Sequence, residues 1–407
     1  MKRVLSNSAW LTAAHLSGFV IPLLELPILT RALGPEVYGG VLFALSLALA
    51  FSLVVEYGFN LSASREVAVS VGNPKRLAQI VGDVFFAKLI ISLVVSSVLL
   101  LLLVTLGTPE VLSADLLLPA CLFFLAFGFS PFWYFQGTER MIGPVLLNLA
   151  LRVFALFGLW LFIREPGDAA LALYILAGAG FLNTGLTSTW VFREVGRPEF
   201  SLAGALGQIR YGWHTFMYRS ANDVLMSASP AVLGLASSKY QTGIFVPAEK
   251  LVKASAGMAM PVLTAFFPYF AKRHADGEPP KGWLLVFIMT LLAAVGAVIL
   301  VLIAPWLIVI LAGDDFKESA HLITLFAAII PLRVFNQSLG LSVLIPQGRD
   351  RSAGYSLMFS ALVAMCVGYY FATAFGALGM VWGLLFGEAL LLCLLTFSAT
   401  RLKLSFP

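Results

Sequence analysis

WLLVFIMTLLAAVGAVILVLIAPWLIVILA, residues 283–312, contains no Asp, Glu, Lys, Arg or His. As an α-helix this run reaches about 45 Å, whereas the hydrocarbon core of a bilayer is about 30 Å thick. A charge-free run of this length crosses the membrane and has residues to spare, so it is expected to tilt or kink. Reading outward, similar apolar segments fall at 8–30, 38–60, 79–106, 113–135, 141–163, 169–192, 213–236, 242–270, 319–345, 353–374 and 376–399, which makes twelve spans. The 242–270 segment carries Pro247, Pro261 and Pro268 and is also expected to bend.

The composition agrees. Hydrophobic residues make up 60% of the chain and charged residues 12%, against about 45–50% and about 25% in soluble domains. Twelve spans consume about 240 residues, and the connections left over are too short for a separate soluble domain. Cys121, Cys366 and Cys393 all sit in apolar runs without CxxC or Cys/His spacing, and His15, His214, His274 and His321 are scattered. Neither a disulfide framework nor a metal site is expected, and no cofactor. Lys2 and Arg3 precede a run containing Glu25 and two prolines with no small-x-small cleavage pattern, so the first span reads as retained. The net charge of +5 does not point to nucleic acid, because the basic residues sit at span ends and not in a patch interleaved with aromatics.

Charge placement fixes an orientation. With the N-terminus in the cytoplasm, sixteen of the 26 Lys and Arg residues fall in cytoplasmic connections, among them Arg65, Lys75, Arg76, Arg140, Arg193, Arg197, Lys272, Arg349 and Arg351. Only Arg31, Arg164, Lys239 and Lys317 fall outside. The positive-inside rule then predicts an even number of spans with both termini cytoplasmic.

Two matches relate the halves. Leu33-Gly-Pro-Glu-Val-Tyr38 with Phe43 resembles Leu235-Ala-Ser-Ser-Lys-Tyr240 with Phe245, at an offset of 202. Gln136-Gly-Thr-Glu-Arg140 with Gly143 resembles Gln347-Gly-Arg-Asp-Arg351 with Gly354, at an offset of 211. They occupy the turns after spans one and seven and after spans four and ten. The expected fold is therefore all-α and integral to the membrane. It comprises about twelve transmembrane helices in two parallel six-helix bundles, 1–200 and 201–407, an arrangement suited to alternating access. Gly137 and Gly348 are placed to adopt the left-handed conformation that ends a helix. Arg140 and Arg351 then anchor the turns at the cytoplasmic headgroups, and Trp133 and Tyr134 read as interfacial belt residues. Gly379, Gly383 and Gly387 form a stripe for close helix packing.

A charge near the bilayer centre costs about 2.5–3.5 kcal/mol on insertion scales, so such residues face a cavity or a partner. Arg219 with Asp223 and Glu249 with Lys253 are each four apart on one helix face and read as local pairs. Arg152, Arg333 and Lys250 have no evident local partner, and the first two lie too deep for easy snorkelling. Cations held there suit an anionic substrate, since guanidinium grips phosphate oxygens through paired hydrogen bonds. The substrate-binding candidates are Arg152, Arg333, Lys250, Arg219 and Arg31, the last either guarding the outer mouth or anchoring at headgroups. Glu25, Asp83, Glu249 and Asp223 are the candidates for carrying a coupling ion. Pro22 and Pro27 bracket Glu25, and a helix so interrupted can hinge or line a cavity.

There is no GxxxxGK[ST], HExxH, GxSxG or dinucleotide fingerprint. The outer connections are short, which argues against a membrane enzyme of polysaccharide assembly and for a non-enzymatic transporter.

The run Leu29-Thr-Arg-Ala-Leu-Gly-Pro-Glu-Val-Tyr-Gly39, the exit Glu56-Tyr-Gly-Phe-Asn60 with Ser64-Arg65, and Trp133-Tyr-Phe-Gln-Gly-Thr-Glu-Arg-Met141 resemble the Wzx-type oligosaccharide (O-antigen) flippases. That polysaccharide-transport family lies in the larger group that includes the multidrug and toxin extrusion exporters. The resemblance covers the whole chain and is strongest before residue 145. It implies a MATE-like fold in the bacterial inner membrane. It also implies movement of undecaprenyl-diphosphate-linked sugar units between leaflets through a cationic cavity, with ion coupling as an option. The implied partners are this lipid-linked oligosaccharide, membrane lipid and other polysaccharide assembly proteins. A proton- or sodium-coupled drug exporter of the same superfamily is the alternative.

Overall fold

The computed structural model describes residues 2–107, 109–216, 227–276 and 282–403. Among these residues there is no strand. In hydrocarbon a backbone must satisfy its own hydrogen bonds, and a helix does so within one segment. The helices are α1 (Lys2–Glu56), α2 (Phe59–Ser70), α3 (Pro74–Leu106), α4 (Ala114–Gly128), α5 (Phe132–Gly137), α6 (Ile142–Phe162), α7 (Ala169–Val195) and α8 (Leu202–Thr215). They continue with α9 (Ser229–Ala236), α10 (Lys239–Gly257), α11 (Met260–Ala275), α12 (Gly282–Ala312), α13 (Lys317–Phe326), α14 (Ile329–Leu339) and α15 (Asp350–Lys403).

Nine stretches among the described residues are long and apolar enough to cross a membrane. Two of these, Val20–Ser70 and Asp350–Thr400, each hold two passes. α1 breaks at Gly34, where φ is +69°, and α15 at Gly376, where φ is +57°. Pro35 disfavours helical geometry at Gly34 and then starts the next helix, where its missing N–H is harmless. At the second break the Ala377 N–H donates to the Gln241 carboxamide oxygen at 2.8 Å. The span expected at 213–236 crosses residues 217–226, outside the described residues. The nine stretches, two of them 51 residues long with an internal break, agree with an all-helical, many-span chain.

The chain forms two compact units. One takes Met1–Ser17 and Gly40–Ala231, the other Gly18–Gly39 and Val232–Pro407. The core of the first unit gathers Phe59, Val67, Ile80, Val84, Trp133, Tyr134 and Phe135. Trp133 is fully buried and Tyr134 is 2% exposed, which corrects the belt reading of both. The Tyr134 hydroxyl instead donates to Glu194 at 3.1 Å.

Gly137 is also not the left-handed residue of its turn. It is helical, and glycine is required there because a Cβ would collide with the Ser64 carbonyl and the Val67 side chain. Glu139, two residues on, takes φ +56°. Gly348 is left-handed, with φ +73°. After each left-handed residue the chain closes alike: the Arg140 N–H donates to the Phe135 carbonyl at 2.9 Å and the Arg349 N–H to the Leu344 carbonyl at 3.1 Å.

In the second unit two helices cross backbone to backbone. A Cβ at Gly39 would overlap the Lys239 carbonyl, and one at Gly243 would overlap the Pro35 carbonyl. The stripe in α15 packs as expected, Gly383 against Gly368 and Gly387 against Ala364. On α12, Phe287, Leu291, Val295, Val298, Leu302 and Trp306 are exposed along one stripe, while Val286, Ala297, Leu300, Ala304 and Ile308 are buried. That stripe is the lipid face.

Overpacking a close-packed contact costs about 1–3 kcal/mol where side chains can yield, and at Gly243 the obstacle is backbone. Gly243→Leu is expected to lower the unfolding temperature of the purified protein and its yield in the membrane, whereas Gly296→Leu, where a Cβ meets nothing, leaves both unchanged.

Candidate functional site

In the second unit the break at Gly34 and the glycine crossing bring α1 beside α10. Three of the intramembrane charges on α10 are Glu249, Lys250 and Lys253. Lys250 Nζ donates to the Tyr38 hydroxyl at 3.3 Å and to the Pro22 carbonyl at 3.4 Å, and lies 5.8 Å from the Tyr38 ring centroid. A desolvated cation over an aromatic face gains about 2 kcal/mol. Glu25 and Glu249 lie close enough to act on Lys250 electrostatically. Glu249 is itself buried and pairs with Lys253 at 2.9 Å. The hydrogen bonds of Lys250 thus go to neutral oxygens, with two carboxylates in its field.

Arg333 on α14 finds a partner far away in sequence. Its Nε donates to Glu388 Oε1 on α15 at 2.7 Å, with side-chain exposures of 14% and 11%. Asn336, one turn along α14, donates to Glu388 Oε2 at 2.9 Å and to the Glu388 carbonyl at 3.0 Å. The carboxylate is therefore gripped on both oxygens. Beyond it α14 passes into a π-helical turn at Gly340–Leu344, a distortion often found at functional sites. Asn336 Oδ1, Gln337 Oε1, Ser338 Oγ and Ser342 Oγ are buried there without a hydrogen bond.

The other candidates are spread out. Arg31 donates to the Ile310 carbonyl at 2.7 Å, one of the last carbonyls of α12, where a cation complements the helix dipole. Asp83, in the first unit, is buried on α3 against the start of α8, taking a backbone hydrogen bond from Ser201. Gly204 has no Cβ because the Asp83 carboxylate occupies that place. Asp83 thus docks the helix that follows α7. Arg152 is half-buried on α6 in the same unit. Arg219 and Asp223 lie outside the described residues. Lys250, Arg333, Arg31, Glu25 and Glu249 all belong to the second unit.

Tyr38, Asn336, Glu388 and Lys88 are absent from the set expected from sequence. Lys88 is fully buried, and its Nζ donates to the Ser130 carbonyl at 2.8 Å with Glu56 in its field. The signal for Lys88 was its charge within a span. For Tyr38 and Asn336 no local signal existed. Among the described residues no three of His, Cys, Asp and Glu gather as a metal site.

Helices this long and apolar, several with charges held inside them, are those of a multi-pass membrane protein. The sequence profile of the polysaccharide biosynthesis proteins matches residues 4–274, and the chain belongs to that family. It is 25% identical over 407 residues to an Escherichia coli K12 protein named "Putative O-antigen transporter", covering 98% of this chain and 97% of the relative. A Shigella dysenteriae protein of the same name is 24% identical over 399 residues, covering 95% and 97%. Among solved structures, an inward-facing multidrug resistance MATE family transporter of the MOP superfamily superposes with a TM-score of 0.72 at 14% identity, over 94% of each chain. The lipid II flippase MurJ, inward closed, gives 0.71 at 12% identity, over 97% of this chain and 87% of its own. At such identities the likeness shows the fold, and the fold is MATE-like.

Removing one member of a buried ion pair costs about 3–5 kcal/mol because the other charge is stranded, while replacing both with apolar residues is often neutral. Arg333→Leu and Glu388→Leu alone are each expected to destabilise the protein by that order, and the double variant to regain most of the loss in denaturant unfolding. Strictly additive losses would show that the pair is not coupled.

Proposed function

We propose that this protein flips undecaprenyl-diphosphate-linked oligosaccharide units, O-antigen or exopolysaccharide repeats, from the cytoplasmic to the periplasmic leaflet of the bacterial inner membrane by alternating access. The observation that carries this reading is the end-to-end match to the O-antigen transporter relatives, 97% of whose length the chain covers, within a polysaccharide biosynthesis family. Intramembrane cations support it from the chemistry. A diphosphate crossing hydrocarbon needs positive charge along its route, while a polyprenyl tail can remain in lipid. Lys250, Arg333 and Arg152 supply that charge. Arg219 has the same role in the proposal, and Arg31 stands at the outer end. Glu25, Glu249 and Asp223 are the carriers of a coupling ion, with Asp83 assigned to helix docking. The proposed ancestry is a duplicated six-helix unit, 1–200 and 201–407, with both termini in the cytoplasm. Other polysaccharide assembly proteins are the proposed partners, and the transport step involves no bond making or breaking by the protein.

The drug-exporter alternative gains nothing from the fold, since a drug exporter and a lipid flippase superpose equally well. The family match favours the glycan.

In a strain deleted for this gene, Arg152→Ala combined with Arg333→Ala is expected to lower surface polysaccharide at least tenfold at equal protein level in the membrane, a loss of at least about 1.4 kcal/mol in the transport step. Full export by that variant would reject the cationic route, and drug resistance with no glycan phenotype would reject the flippase. Single cysteines at Arg65 and Arg197 in a cysteine-free background should react only from the cytoplasmic face, and those at Arg164 and Lys317 only from the periplasmic face.

A further inference from the structure

We propose that Glu388 is a proton-operated latch on Arg333, so that a diphosphate takes Arg333 only as Glu388 takes a proton. The inference rests on the reading of the cargo as a diphosphate-linked lipid. Arg333 lies in a membrane span and is 14% exposed, with Glu388 Oε1 2.7 Å from its Nε. A phosphate that engages this guanidinium faces a carboxylate already in place. If the carboxylate stays charged, two anions share one cation in a low-dielectric site, and a buried carboxylate loses its compensation. Uptake of one proton from water by a Glu388 oxygen removes both penalties. When the phosphate leaves, the proton returns to water and the ion pair re-forms. Charge and proton balance without any other reactant.

Asn336 makes the latch two-sided. Its carboxamide N–H groups reach Glu388 Oε2 at 2.9 Å and the Glu388 carbonyl at 3.0 Å, so they donate to the carboxylate on the side away from Arg333. Its Oδ1 is buried and without a hydrogen bond, so a flip of the carboxamide would accept the new O–H of a protonated Glu388. Several charges on the neighbouring helices have other engagements, and on α11 Lys272, Arg273 and His274 lie in the last turn. On α10, Glu249 pairs with Lys253 and Lys250 lies against Tyr38. On α13, Lys317 pairs with Asp314, Glu318 bonds Tyr240, and His321 is exposed. On α14 itself Arg333 is the sole Asp, Glu, Lys, Arg or His, and α12 has none.

The test uses the full chain in lipid nanodiscs with undecaprenyl diphosphate as probe, measuring affinity and proton uptake on binding across mildly acidic to mildly basic pH. The probe's own titration cancels when the wild type is compared with Glu388→Gln. The wild type is expected to bind at least tenfold more weakly in base than in acid, and to take up about one proton more per lipid than Glu388→Gln. Glu388→Gln should bind in base as the wild type does in acid. If Glu388→Gln does not fold, Asn336→Ala serves, since it removes the bonds that hold the ionised carboxylate and should move the half-binding pH upward. Equal proton uptake by the wild type and Glu388→Gln, or an unmoved half-binding pH in Asn336→Ala, would overturn the latch while leaving the flippase reading intact. No binding of the probe by the wild type would overturn the diphosphate reading, and the latch with it.

Discussion

A charge inside hydrocarbon is tolerated only where something answers it, and the site residues of this protein are organised by that requirement. Arg333 is answered by Glu388, Lys253 by Glu249, and Lys88 by the Ser130 carbonyl. Lys250 differs in kind. Its hydrogen bonds go to a hydroxyl and a carbonyl, groups that hold a cation without neutralising it. A route for an anionic headgroup needs such cations, and it also needs pairs that can open. The second unit contains Lys250 and the pairs Arg333–Glu388 and Lys253–Glu249.

The same requirement governs the backbone. Where a membrane helix stops being helical, the exposed groups must be met by protein. Phe129, Ser130 and Pro131 separate α4 from α5, and Lys88 takes the Ser130 carbonyl left at that gap. The break at Gly376 is met by Gln241 from α10. The last carbonyls of α12 receive Arg31. Polar side chains in the spans thus include some that serve the scaffold alone, and a charge in an apolar run does not by itself say which do. Asp83 illustrates the second use: its carboxylate fills the space above Gly204 and docks α8.

This division marks what could be read from residues alone. Hydropathy is local along the chain, so the spans that fall on described residues and the break at Gly34-Pro35 were legible. Pairing across 55 positions, as between Arg333 and Glu388, is tertiary and leaves no periodic trace. Trp133 and Tyr134 were misread for a related reason. Aromatic position along a span gives depth in the membrane but not which side faces protein, and both rings lie in the core of the first unit. Gly137 was misassigned because two demands compete for a glycine, positive φ and close approach. Here Ser64 and Val67 impose the second, leaving Glu139 to take the strained conformation.

The turns and the crossing carry a further consequence for the origin of the fold. Gly39 meets Lys239 while Gly243 meets Pro35, a reciprocal contact in which the two glycines stand 204 apart and so do the two residues they meet. The left-handed residues Glu139 and Gly348 stand 209 apart and close their turns with the same hydrogen bond. Both spacings fall between the 202 and 211 of the two sequence matches. The duplicated six-helix unit proposed above, with a few residues gained or lost in its loops, would leave such a drift. Chance likeness in two short motifs gives no reason for the backbones around them to cross and turn alike. The left-handed position moved by two residues within its turn while the turn geometry persisted. The geometry of the turn thus does not depend on which residue ends the helix.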